Sequence, residues 1–217
     1  MDTVRKNSWD KDYENTDLSP VYDPLWEMLQ SFLERVPAGR VLDFGCGDGP
    51  YACLIADQGF KVAGIDISNV AINKAASRGC RHCSFVRHDS IPHDWQEDSF
   101  DLVVMLNSLH CLDDNQRQKL FGQVRRVLKP HGHFFASALS LADESYPRHE
   151  WQNLNPGTFV DEAGRLFHFF SVQELEGELS WLDIQEIKVL ENIHPQCGRK
   201  SSLFVVMAQL TEGLTGC

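Results

Sequence analysis

Short apolar runs alternate with helix-period stretches from Arg40 to Ala138, and this alternation constrains the fold more than any other feature. Arg40–Phe44 reads as a first strand, Lys61–Ile67 as a second, Cys83–His88 as a third, Phe100–Leu106 as a fourth and His133–Ala138 as a fifth. Near-continuous apolar strands belong to a parallel sheet that helices cover on both faces. The intervening helices carry their own signals. Pro24–Val36 sets Leu25, Met28, Leu29, Phe32 and Leu33 at helical spacing. Tyr51–Gln58 stops at Gly59, and Ser68 caps a helix to about Ser77. Asp113 or Asp114 caps a helix that runs to Leu128 and ends at Lys129-Pro130. Crossovers in such a sheet are right-handed. Ligands then sit at the carboxyl ends of the strands, where the strand order reverses.

The alternation breaks after Ala138. Residues 141–170 are polar, aromatic and irregular, with Thr158–Val160 and Arg165–Phe169 flanking Asp161-Glu-Ala-Gly164 as a hairpin. Ser171 and Glu174 have capping-box spacing for a helix to about Ser180. Asp183–Ile193 and Ser202–Leu210 are long strands joined by a short turn, which makes the last pair antiparallel. The expected organisation is one domain over 1–217, with residues 1–38 as an N-terminal lid and helix and 141–170 as an inserted substrate cap.

Composition narrows the partners. Hydrophobic residues are 42% and charged residues 24%, ordinary for a soluble globular chain. The formal charge of −11 repels phosphate backbones and anionic lipid. The longest basic clusters are the pairs Arg125-Arg126 and Arg199-Lys200, so neither a nucleic-acid nor a membrane partner is expected. Met1–Asp17 has no apolar core of a signal peptide, and no apolar run reaches membrane-span length. The expected location is cytoplasmic, with reduced thiols. Of seven cysteines, Cys80 and Cys83 form one C-x-x-C with His82 inside it. Without a second pair they read as two ordinary thiols near a helix–strand loop, and no metal is expected.

The motif with the most chemistry is Val41-Leu-Asp-Phe-Gly-Cys-Gly-Asp-Gly-Pro50. Gly45, Gly47 and Gly49 follow a strand and precede a helix, where glycine permits a tight turn and close approach of a ligand to the backbone. A dinucleotide loop needs its third glycine at position 50, which is proline. Asp43 and Asp48 also disfavour a pyrophosphate and suit a ligand with positive charge.

Asp43-Phe-Gly-Cys-Gly-Asp-Gly49 resembles the first motif of the class I S-adenosylmethionine-dependent methyltransferases, and the resemblance extends over roughly Arg40 to Leu210. It implies an α/β, doubly wound, mostly parallel seven-stranded (Rossmann-like) sheet with a C-terminal antiparallel pair and helices on both faces. It implies S-adenosyl-L-methionine as cofactor, with S-adenosyl-L-homocysteine as product. By the same resemblance Asp43, Gly45, Cys46 and Gly47 form the cofactor loop. Asp66, with Ile67 beside it, closes the second strand, where a carboxylate accepts hydrogen bonds from both ribose hydroxyls. Asp89 closes the third strand and meets the adenine amino group, with the Ser90 amide near the ring. Asn107, after the fourth strand, faces the methionine portion. Leu128-Lys-Pro-His-Gly132 is similar to the family's turn before strand five, with His131 in place of a glycine and Gly132 expected to make the turn. The chain lacks both the Asn/Asp-Pro-Pro-aromatic motif of DNA amino methylation and a Pro-Cys nucleophile.

The opening Trp9-Asp-Lys-Asp-Tyr13 resembles that of the thiopurine and tellurite-resistance methyltransferases, and the resemblance implies that Trp9 and Tyr13 of this chain close over the cofactor. That likeness implies a small-molecule acceptor, with a thiol, selenium or tellurium species as the soft nucleophile. Arg148, His149, His194 and Arg199 are candidate acceptor contacts, and Tyr146, Trp151 and His168 can line a pocket. His110 is either a base or a polar wall. The competing function is a cofactor-binding protein without turnover, a sensor or scaffold.

Overall fold

A computed structural model describes residues 2–14, 18, 21, 23–146, 150–193 and 200–211. In chain order the elements are α1 (Asp2–Glu14), α2 (Asp23–Leu33), β1 (Arg40–Phe44), α3 (Pro50–Asp57), β2 (Lys61–Asp66), α4 (Asn69–Ser77), β3 (Cys83–Arg87) and β4 (Phe100–Met105). A 3₁₀ turn over Leu109–Cys111 leads to α5 (Asp114–Val127) and β5 (Leu128–Leu139). Then come β6 (Gln152–Asn155), β7 (Thr158–Val160), β8 (Leu166–His168), α6 (Val172–Glu178), β9 (Asp183–Ile193) and β10 (Lys200–Gln209).

Seven strands form one sheet in the order β3-β2-β1-β4-β5-β10-β9. The first five run parallel, and β10 lies antiparallel between β5 and β9. Alternate residues of a strand point to opposite faces, which explains why the central strands β4 and β5 are apolar on both faces, whereas the edge strand β3 is partly exposed. Val41, Leu102, Val104, Phe135 and Val205 pack on one face with Leu25, Leu29 and Phe32 of α2 and Ile55 of α3. Leu42, Val103, Met105, Phe134 and Val206 pack on the other with Leu120, Phe121 and Val124 of α5 and Leu175 of α6. Asp113 caps α5 with a full capping box to Gln116. Inside α5, Arg117 is buried and binds Glu178 through Nε and Nη2 (2.8 and 2.7 Å to its two oxygens) and the Leu112 carbonyl through Nη1 (2.7 Å). This guanidinium, 5.0 Å over the Phe170 ring, ties α5 to the α6 region.

Four expectations need correction. The hairpin of β7 and β8 has a third strand, β6, so the insertion is a three-stranded sheet. Its polar, glycine-flanked sequence carries no strand signal, because β6 is exposed throughout. The segment expected to turn before the fifth strand lies inside β5, at the register shift between Leu128 and His133, and its left-handed residue is His131 (φ 59°). Gly132 answers a different need: a Cβ there would stand 2.8 Å from Leu128 and from the Lys129 carbonyl. Ser171 caps α6 by accepting from the Glu174 amide, but the Glu174 carboxylate turns to His168 Nε2 (3.0 Å). Finally, Cys80 is not an ordinary thiol. It forms a disulfide with Cys53, 27 residues away in sequence and 5.4 Å apart at Cα, because the fold packs α3 beside the turn that follows α4. No helix among the described residues is long and apolar enough to cross a membrane.

Candidate functional site

From β1 the chain builds β2 and β3 on one side, then returns to place β4 on the other. A cavity of about 460 Å³ opens at the carboxyl ends of these strands, a volume within the range of small-molecule sites. Phe44 and Gly45 after β1, Asp66 and Ile67 after β2, and Asp89 and Ser90 after β3 line it, with Asn107 and Ser108 after β4.

The loop after β1 is held by backbone. The amides of Gly45 and Cys46 both donate to the Ile65 carbonyl (2.7 and 2.9 Å). Gly45 has φ 76°, and a Cβ on it would lie 2.4 Å from the Ser108 Cβ. At Gly47 a Cβ would lie 2.4 Å from the Tyr13 hydroxyl. These positions admit only glycine, and they bring α1 and the β4 end close to the loop.

Asp66 is fixed by two amides. Oδ2 accepts from Gly47 (2.9 Å) and Oδ1 from Ser68 (2.8 Å). A carboxylate has about four lone-pair positions, so each oxygen keeps capacity toward the cavity. Burial raises the pKa of this group, and the two amide hydrogen bonds oppose the rise. Asp43 is buried beneath the loop and does not line the cavity. Burial, then the charge of Asp66, pushes it up to about 7. Cys46 and Gly47 also stand behind the lining, and burial raises the Cys46 thiol. The expectation that Asp48 addresses a cation needs correction: it is buried against Arg78 Nη2 at 2.6 Å, which neutralises it.

Asn107 takes a left-handed backbone (φ 53°), a conformation asparagine tolerates better than most residues. Ser137 on β5 holds it there: its hydroxyl accepts from the Asn107 amide (2.8 Å) and donates to Oδ1 (3.1 Å). His110 is placed elsewhere. It is buried outside the lining, Nδ1 accepts from the Leu139 amide (3.3 Å), and burial pushes its pKa down to about 4.

Trp9 and Tyr13 of α1 line the cavity from above. On one flank Asp10 accepts from the Ser68 hydroxyl (2.6 Å), and Lys74 binds the Tyr13 carbonyl. On the other, Ser8 donates to the Ala163 carbonyl (2.8 Å) and Arg165 pairs with both Asp12 and Asp161. Trp9 meets Phe167 edge-on at 6.4 Å. The insertion therefore touches α1, and none of the described lining residues comes from 141–170. Tyr146 packs on Phe159 and Phe169, Trp151 stacks on Phe167, and His168 is buried against Thr158 and Glu174. Arg148, His149, His194 and Arg199 lie outside the described residues.

One wall escapes sequence reasoning. Gln116, Lys119, Leu120 and Gln123 of α5 line the cavity, with Cys111 and Leu112 before them. Their spacing marks one helix face, but nothing in the sequence says that this face looks into the site.

The comparisons with known proteins agree with this geometry. The family model described as "Methyltransferase domain" matches residues 41–132. An uncharacterized methyltransferase of Synechocystis sp. is 34% identical over 148 residues, 59% of this chain and 67% of that protein. A tRNA (carboxymethyluridine(34)-5-O)-methyltransferase of Arabidopsis thaliana is 33% identical over 109 residues, but this chain spans only 26% of its length. A crystal structure of a SAM-dependent methyltransferase from Methanosarcina mazei superposes with a TM-score of 0.69 at 25% identity, covering 90% of this chain and 99% of that one.

Proposed function

The chain belongs to the S-adenosylmethionine-dependent methyltransferase family, and from that premise we propose that it transfers a methyl group from S-adenosylmethionine to a small-molecule acceptor. The observation that carries this reading is the amide-held Asp66 carboxylate at the tip of β2, one strand from the order reversal between β1 and β4, with Asp89 at the neighbouring tip of β3. The donor set fits the cofactor: carboxylates at the strand tips accept from hydroxyl and amino groups and tolerate a cation. They would repel a pyrophosphate.

Asp66 would accept from the two ribose hydroxyls. Asp89 would accept from the adenine amino group, with the Ser90 amide at the ring edge. Gly45 and Asn107 would face the amino-acid portion, and Trp9 and Tyr13 would cover it. When bound, the cofactor supplies a methyl carbon already activated by a positively charged sulfur. The remaining contribution of the protein is alignment and exclusion of water.

The proposed acceptor class draws on what borders the β4 side of the cavity. His110 is neutral, buried and occupied by the Leu139 amide, so it is a poor base. His88 lines the cavity from β3, with β2 and β1 between it and β4. This supports an acceptor that needs little help losing a proton, such as a thiol, selenium or tellurium species. The acidic chain and the helix over the cavity favour a small molecule over a polynucleotide.

Calorimetric titration tests the cofactor assignment: Asp66→Ala weakens S-adenosylmethionine binding at least about tenfold, from loss of charge-assisted hydrogen bonds. Unchanged affinity overturns it. Labelled cofactor with thiol, selenium, tellurium, amine and tRNA acceptors then tests the acceptor class. Transfer to the tRNA alone overturns the small-molecule reading, and binding without any transfer leaves a cofactor-binding protein.

A further inference from the structure

Three cysteines meet away from the lining of the cavity. Cys53 lies in α3, where its amide donates to the Gly49 carbonyl (3.1 Å). Cys80 is in the turn after α4, and Cys83 opens β3, its thiol 3.4 Å from the Ala52 carbonyl. All are partly exposed, and their three sulfurs lie within 4.8 Å of one another. The Cys53–Cys80 disulfide uses two of them and leaves the Cys83 thiol beside the bond.

We propose that the reduced chain binds one thiophilic d¹⁰ metal ion of the zinc class through the thiolates of Cys53, Cys80 and Cys83, with a fourth position open to solvent. Zinc–sulfur bonds of about 2.3 Å in a tetrahedral site place the sulfurs about 3.8 Å apart. The three sulfurs, all within 4.8 Å of one another, already lie within reach of one such ion. Soft sulfur donors select such ions over magnesium or calcium. The sequence displays only the C-x-x-C half of this site. The third donor arrives from α3 through the fold.

The two states of the cluster exclude each other. A dithiol reduces the Cys53–Cys80 bond, becoming a disulfide itself and leaving two thiols. Metal binding then releases three thiol protons to solvent.

The test uses the full chain, reduced with a phosphine and freed of it without oxygen. Titration with Cd²⁺ is followed by the ultraviolet thiolate-to-metal band, with native mass spectrometry for stoichiometry and Zn²⁺ as competitor. The expected result is one ion per chain, displaced by Zn²⁺, with at least tenfold weaker binding in Cys83→Ser and no change in Cys111→Ser. The oxidised wild-type chain needs no substitution and shows no band. A reduced chain without the band, a Cys83→Ser chain that binds as tightly as wild type, or an oxidised chain that binds equally well overturns the proposal.

Discussion

The two walls of the cavity are held in different ways. The strand-tip wall relies on backbone: the Gly45 and Cys46 amides on Ile65, and the Gly47 and Ser68 amides on Asp66. Its parts lie at the ends of adjacent strands, and it tolerates no side chain at Gly45. The α1 wall relies on side chains that reach across the molecule, Arg165 to Asp12 and Ser8 to Ala163, with Trp9 against Phe167. Partly exposed ion pairs and edge-on rings can be exchanged without disturbing the sheet. The difference puts the proposed cofactor carboxylate Asp66 on the rigid frame, and leaves the covering helix on contacts that can be exchanged.

The largest expected effect breaks the comparison from the frame side. Asp43, beneath the strand-tip wall, is raised from 3.8 to about 7. Between those values the unfolded chain has lost the proton that the fold keeps. The stability from this group is therefore complete below about pH 4 and fades as pH rises through about 7, by about 4 kcal/mol in all. Urea unfolding from pH 4 to 8 should show wild type losing stability relative to Asp43→Asn, and a constant gap between the two chains refutes it.

Next is Gly45→Ala, which forces a side chain into a left-handed backbone and against Ser108. A cost of about 2 kcal/mol weakens cofactor affinity roughly thirtyfold. Titration showing a change under threefold would mean that the loop can move. Asp66→Ala, at about tenfold, follows.

The smallest effect sharpens the comparison from the strap side. Arg165→Met removes the ion pair to Asp12, one of the links between α1 and the insertion, and a partly exposed pair is worth at most about 1 kcal/mol. Cofactor affinity changes less than about threefold, while protease cleavage within α1 becomes faster. Equal cleavage rates would show that the remaining contacts hold α1 without this ion pair.

The strands that frame the site were legible because fully buried parallel strands are apolar on both faces, and because Gly45, Gly47 and Gly49 punctuate a strand and a helix. The resemblance then directed attention to Asp66, Asp89 and Asn107. The α5 face of Gln116, Lys119 and Gln123 was not legible, since a polar helix face looks the same toward solvent as toward a cavity. Asp48 misled for a similar reason: its partner Arg78 is distant in sequence, so the carboxylate looked available.

By itself the sequence determined the layered sheet, the glycine loop and the carboxylates at the strand tips, because these depend on hydrophobic periodicity and local backbone conformation. Only the tertiary structure decided which groups share a neighbourhood. It seated α1 over the cavity, withdrew His110 from it, spent Asp48 on Arg78 and brought Cys53 to Cys80 and Cys83. Each of those outcomes depends on contacts between chain segments remote in sequence, which no local pattern encodes.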